Sequence, residues 1–193
     1  TSGLAARMRL FDTVPGGQDL AGDDGPDRIF GSRFNDRILG NGGNDTLSGG
    51  EGTDTLNGGD GDDFLFGGST GADLRDVIFG GNGNDRADGG AGNDEISGGA
   101  GNDVLVGGLG SDALIGNAGD DLLAGSGGSD LIFGNDGNDT LNGGFGFDRM
   151  NGGTGADSFL HQGVADHGSD WVQDYSAAEG DVLVMALPGA VAS

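Results

Sequence analysis

The sequence predicts an all-β fold, a right-handed parallel β-roll or β-solenoid, in which two nine-residue repeats complete each coil. Three observations predict it: a nonapeptide period, a fixed aspartate column, and a fixed apolar column two residues further on. From Gly22 to Leu160 the chain lies on the pattern G-G-x-G-x-D-x-U-x, where U is a large apolar residue, with one insertion. The eighth positions read Ile29, Ile38, Leu47, Leu56, Leu65, Ile78, Ala87, Ile96, Leu105, Leu114, Leu123, Ile132, Leu141, Met150 and Phe159. Only Ala87 is small. From Gly80 to Leu160 nine repeats run without a break.

Alternation of side chains along a strand explains the apolar column. In x-U-x the central residue points inward and its neighbours point out, so each repeat should supply a three-residue strand with one core side chain. The six preceding residues make the turn. Their glycines permit positive φ and leave carbonyl oxygens free to face a shared ligand. Because two repeats make one coil, repeats n and n+2 stack. One edge then carries Asp27, Asp45, Asp63, Asp85, Asp103, Asp121, Asp139 and Asp157, and the other Asp36, Asp54, Asp76, Asp94, Asp112, Asp130 and Asp148.

Two stacked rows of carboxylates repel and desolvate one another unless a cation intervenes. A hard divalent ion with six to eight oxygen ligands fits the available carboxylates and carbonyls, which points to Ca²⁺. Zinc would want histidine or cysteine, and magnesium tends to keep its waters. The two ladders contain thirteen neighbouring pairs, and the demand for a nearly complete oxygen shell predicts roughly eight to eleven filled sites.

Composition narrows the alternatives. The 47 glycines among 193 residues would suit collagen only at every third position with abundant proline, but they come in pairs nine apart and there are three prolines. A net charge of −24, from 32 acidic and 8 basic side chains, excludes nucleic acid as a partner. A solvated disordered tail would be as acidic but would keep no strict apolar column. With no cysteine there is neither a disulfide framework nor a thiolate metal site. No apolar run is long enough to span a bilayer, and no amino-terminal charged-then-apolar signal precedes the repeats.

The nonapeptide pattern resembles the RTX or hemolysin-type calcium-binding repeat, found in secreted bacterial toxins, serralysin-like proteases, lipases, alginate epimerases and adhesins. The match is complete on Gly98-Gly99-Ala100-Gly101-Asn102-Asp103 and on Gly89-Gly90-Ala91-Gly92-Asn93-Asp94. The resemblance implies Ca²⁺ between stacked turns, held by the sixth-position aspartates and by turn carbonyls. It also implies an extracellular bacterial location and export, unfolded, through type I secretion machinery. Two departures are expected to weaken sites. Gly31-Ser32-Arg33-Phe34-Asn35-Asp36 lacks the second and fourth glycines, and Ser69 to Arg75 is four residues too long, so Asp36 and Asp76 are the least secure ligands.

The flanks read differently. Residues 1–21, with Pro15-Gly16-Gly17, suit a linker or a frayed strand leading into the repeats, and 161–193 suit a segment that caps the roll of residues 22–160. Trp171 and Tyr175 are candidates to supply apolar area to that cap. His161 and His167 belong to no His-Glu-x-x-His or nucleophile-elbow motif, so no catalytic residue is expected.

The sequence thus predicts a non-enzymatic module that folds on Ca²⁺ outside the cell and supports secretion, folding and stability of a larger exported protein. The alternative is a binding module for polysaccharide or a cell-surface partner. Outward Phe30, Phe64, Phe66, Phe79 and Phe133 are expected to be scattered rather than to form the aromatic column that such binding favours.

Overall fold

The computed structural model describes residues 8–10, 16–70, 74–162 and 168–186, and its regular structure is entirely β. Strands β1 (Met8–Leu10) to β19 (Val182–Ala186) alternate between two parallel sheets. Odd-numbered strands stack in sequence order in a ten-stranded sheet, and even-numbered strands in a nine-stranded one. The result is a solenoid of about eight turns. No helix among the described residues is long and apolar enough to cross a membrane.

The register follows the repeat. Leu105 lies between Ala87 and Leu123 in one sheet, and Ile96 lies between Ile78 and Leu114 in the other. All fifteen eighth-position residues are 0–2% exposed and form one continuous core between the sheets. Across the insertion the step grows from 18 residues to 22, so that Leu56 pairs with Ile78 and Leu65 with Ala87. The extra length is absorbed within the turn. The Leu74 N–H donates to Gly52 O and Leu74 O accepts from the Asn93 N–H, both at 3.0 Å, so the chain is back in the stack at Leu74. Gly71, Ala72 and Asp73 lie outside the described residues.

Most strands are longer than the expected three residues, although Arg28–Phe30 and Thr46–Ser48 keep that length. Val104–Gly110 and Leu122–Gly128 each run for seven, through the glycines of the following repeat. Burial alternates along them, so that Asp103, Leu105 and Gly107 all face inward. In twelve of the fifteen repeats, Gly40, Gly58, Gly67 and those from Gly80 to Gly152, the first glycine therefore occupies an inward strand position and leaves it empty of side chain. That empty position is where the carboxylates go.

Both flanks continue the solenoid. Asp19–Ala21 pairs with Arg37–Gly42, and Leu20 joins the core, so residues 19–21 are a strand of the stack. At the other end Trp171–Val172 pairs with Arg149–Thr154, and Val182–Ala186 with Ser158–Gln162. Trp171 points outward, with the Arg149 guanidinium 5.6 Å from its ring centroid, and Tyr175 is exposed. Neither covers the end of the core, because Val172 and Leu183 hold the inward positions opposite Met150 and Phe159. Residues 1–7, 11–15, 163–167 with His167, and 187–193 lie outside the described residues.

Candidate metal centre

Each sixth-position aspartate immediately precedes a strand whose register is fixed by the apolar residue two places on, so stacking of the core also stacks the carboxylates. Both expected ladders are present and buried. The backbone N–H of Asp85 donates to Asp103 Oδ1, that of Asp103 to Asp121 Oδ1, and that of Asp121 to Asp139 Oδ1, each at 2.8 Å. The opposite ladder repeats this from Asp94 to Asp112 at 2.8 Å and from Asp112 to Asp130 at 2.9 Å. The insertion leaves no gap. Asp54 N–H donates to Asp76 Oδ1 at 2.7 Å, and Asp76 N–H to Asp94 Oδ1 at 2.8 Å.

Only one oxygen of each carboxylate is used in this way. Oδ2 of Asp45, Asp63, Asp85, Asp94, Asp103, Asp112, Asp121, Asp130 and Asp139 is buried and accepts no hydrogen bond. Buried acceptors without a donor are expensive, and charged ones more so. Burial accordingly pushes the carboxyls of Asp63, Asp103 and Asp130 up to about 7, and those of Asp112, Asp121 and Asp139 up to about 6. The neighbouring backbone N–H offsets part of this rise, and like charge along the ladder adds to it.

What lies beside these oxygens is another oxygen. A Cβ placed on Gly116 would sit 2.2 Å from Asp121 Oδ2 and 2.8 Å from the carbonyl of Gly134 one coil on. On Gly40 it would sit 2.2 Å from Asp45 Oδ2 and 2.3 Å from Gly58 O. Carboxylate and carbonyl oxygens thus converge on the space that a side chain would fill. A buried carboxylate oxygen without a donor, with a carbonyl oxygen beside it, is the ligand half of a cation site.

The second residue of the repeat decides whether that half-site stays open. It has positive φ as Gly99 (122°), Asn117 (83°), Ser126 (81°) and Asn135 (78°), which turns its amide away from the carboxylate. In the first two repeats this residue is Asp23 or Ser32, without positive φ, and its N–H donates to the repeat's own aspartate. Asp23 N–H reaches Asp27 Oδ2 at 2.8 Å and Ser32 N–H reaches Asp36 Oδ2 at 2.6 Å, with the Ser32 hydroxyl adding a bond at 2.9 Å. Asp36 therefore differs from the mid-ladder aspartates at the place where its turn departs from the pattern, and Asp27 shares the difference. The ladder runs on through Asp76, which accepts from Asp54 and donates to Asp94.

Two features were not anticipated. A second ladder runs through the fifth position in the opposite sense: Asn84 Oδ1 accepts from Asn102 N–H at 2.8 Å, Asn102 Oδ1 from Asp120 N–H at 3.0 Å, and Asp120 Oδ1 from Asn138 N–H at 2.8 Å. Its signal was the frequent Asn or Asp just before the sixth-position aspartate. The aspartate ladders also extend beyond the repeats, since Asp148 N–H donates to Asp170 Oδ1 at 3.3 Å and Asp157 N–H to Asp181 Oδ1 at 3.1 Å. Asp170-Trp171-Val172 and Asp181-Val182-Leu183 carry the same aspartate-to-core offset as the repeats. Asp170 Oδ2 also meets His161 Nδ1 at 2.9 Å.

Among the described residues no three histidine, cysteine, aspartate or glutamate side chains converge on one point. An ion between coils must then draw on backbone carbonyls for much of its shell, a requirement that suits calcium better than zinc. The family model for the RTX calcium-binding nonapeptide repeat matches in overlapping copies from residue 21 to residue 161. The chain belongs to this RTX family. RTX nonapeptide repeats bind calcium, so the donor set found in the ladders and the ion that the family binds agree. A comparison with curated proteins finds no match.

Proposed function

We propose that this RTX chain is a calcium-driven folding module that supports secretion, folding and stability of a larger exported bacterial protein, and that it acts outside the cell. The ions lie between successive coils. Each takes carboxylate oxygen from sixth-position aspartates and carbonyl oxygen from the glycine turns. The observation that carries this reading is the set of buried Oδ2 atoms without a hydrogen bond, each beside a backbone carbonyl of the next coil, at Asp45, Asp63, Asp85, Asp94, Asp112, Asp121, Asp130 and Asp139.

Folding should depend on the ion because each repeat contributes a single core side chain, too little apolar area to offset ordering nine residues of glycine-rich backbone. Without metal, the desolvated carboxylates oppose the fold as well. Binding free energy then becomes folding free energy. Extracellular calcium modules bind at about 10⁻⁴–10⁻³ M, so such a chain stays unfolded in a cell and folds on export. No catalytic role is assigned: the acidic clusters are accounted for by metal, and His161 is engaged by a ladder aspartate.

A second reading, glycan binding, draws on the outer face of the ten-stranded sheet. There Phe30, Phe64 and Phe66 share a shallow groove with Thr46, Ser48, Arg86 and Asp88, a closer grouping than the sequence suggested. Phe64→Ala should abolish retention on a polysaccharide affinity gel if this groove is used.

The primary reading is tested by titrating Ca²⁺ into chelated protein and following far-UV circular dichroism. A cooperative rise of β signal with Ca²⁺, and none with Mg²⁺ at equal concentration, supports it. A full β spectrum with a sharp thermal transition in chelator contradicts it.

A further inference from the structure

The two edges of the solenoid are chemically unlike. Turns that return the chain from the nine-stranded to the ten-stranded sheet present Asp24, Asp60, Asp62, Asp120 and Asp136 to solvent, with no outward aliphatic or aromatic side chain larger than Pro26. Turns in the other direction present Phe34, Leu74, Leu109, Phe145 and Phe147. Of these, Leu74 is 62% exposed, Leu109 71%, Phe145 58% and Phe147 69%. The one outward acid among the described residues at the third to fifth positions of these turns is Glu51.

The apolar residues are also regularly placed. They occupy the first, third, fifth and seventh of these turns, while the intervening turns offer only Glu51-Gly52-Thr53, Ala91-Gly92-Asn93 and Gly127-Gly128-Ser129. With strands stacked about 4.8 Å apart, the anchor-bearing turns recur roughly every 10 Å along the edge. Arginine accompanies two of them. The Arg33 guanidinium lies 5.3 Å from the Phe34 ring centroid, and exposed Arg75, paired to Glu95 at 2.6 Å, adjoins Leu74.

We propose that this edge docks on a lipid bilayer that carries anionic headgroups. Apolar tips spaced along one edge and divided by small polar turns are not the broad patch of a packed protein interface. They suit a fluid boundary that receives side chains turn by turn, with arginine at headgroup level. Asp24, Asp60, Asp62, Asp120 and Asp136 lie on the far edge, away from lipid phosphate, and Glu95 on the near side is paired to Arg75. Calcium enters because the ladder behind the tips, Asp94 to Asp130 among it, must be neutralised before approach; this clause rests on the calcium reading above.

The test is co-sedimentation of the whole chain with vesicles of phosphatidylcholine and phosphatidylserine in equal parts, in saturating Ca²⁺, for wild type and for Leu109→Ser/Phe145→Ser/Phe147→Ser. The substituted side chains are exposed, so the calcium midpoint read by circular dichroism should stay unchanged while vesicle partition falls roughly tenfold or more. Wild type that fails to sediment overturns the proposal. So does a variant that sediments equally, which would mean that calcium merely bridges protein acids to phosphatidylserine. A wild-type dimer in sedimentation velocity that the variant loses, without vesicle binding, would instead assign the edge to a second copy. Failure of the calcium reading appears separately, as absence of a Ca²⁺-dependent spectrum.

Discussion

Asp121 Oδ1 accepts the backbone N–H of Asp103 at 2.8 Å, whereas its Oδ2, equally buried, accepts no hydrogen bond. One oxygen is committed to joining coils and the other is left for a ligand. The division recurs at Asp63, Asp85, Asp103 and Asp139 in the same ladder and at Asp94, Asp112 and Asp130 in the other, so on the proposed calcium reading one side chain serves both stacking and metal binding.

Replacing one ladder carboxylate should therefore cost more than replacing a surface one. Asp103→Asn keeps an Oδ1 acceptor but removes the charge, and it should raise the calcium midpoint and lower cooperativity along the stack. Asp136→Asn, on an exposed turn where Thr154 Oγ1 donates to it at 2.9 Å, should shift neither appreciably. Asp88, although acidic and at a ninth position, makes a poor control, because it is half-buried in the groove near Phe66 and burial raises its pKa. Equal midpoints for Asp103→Asn and Asp136→Asn would indicate general charge screening without defined sites.

The glycine cradle makes a second, independent prediction. A Cβ on Gly116 would enter the space shared by Asp121 Oδ2 and Gly134 O, so Gly116→Ala should weaken calcium binding about as much as loss of a ladder carboxylate. Gly127 has ordinary φ, and a Cβ there meets nothing nearer than 3.9 Å. Gly127→Ala should be close to neutral. Isothermal titration of both variants decides it, and equal effects would place the ions elsewhere.

Much of this was legible in the sequence because the repeat fixes position twice. The apolar column sets the strand register, and register alone carries Asp103 beneath Asp121 and Asp94 beneath Asp112. The insertion before Asp76 was visible, but the way the chain rejoins the stack was not, since that depends on the backbone hydrogen bonds of Leu74 to Gly52 and Asn93. The inward position of most first glycines was missed because a residue without a side chain leaves no mark in a hydrophobic pattern. Ser32 shows the complementary limit. Its departure from glycine was evident, but that its amide and hydroxyl would both turn onto Asp36 required the turn itself.

pH gives a third prediction. Asp103 and Asp130 have carboxyls raised to about 7 in the metal-free fold, against about 3.9 in an unfolded chain. A folded-state pKa above the unfolded value means that protonation favours the fold. That contribution is complete below about pH 4 and is lost as pH rises through about 7. Chelated protein should thus gain β signal on acidification across that window. In calcium the same protons compete with the ion, so the calcium midpoint should rise as pH falls from 8 to 6, tracked by circular dichroism at fixed ionic strength. A midpoint independent of pH over that range contradicts the assignment of desolvated carboxylates as ligands.

The most direct test of calcium in the ladders is an anomalous difference map from crystals grown in calcium. The account predicts roughly eight to eleven peaks in two rows, with mid-ladder ions about 2.3–2.6 Å from oxygens such as Asp103 Oδ2 and the facing first-glycine carbonyls. Three peaks or fewer, or peaks confined to the exposed acids of the return turns, would contradict it.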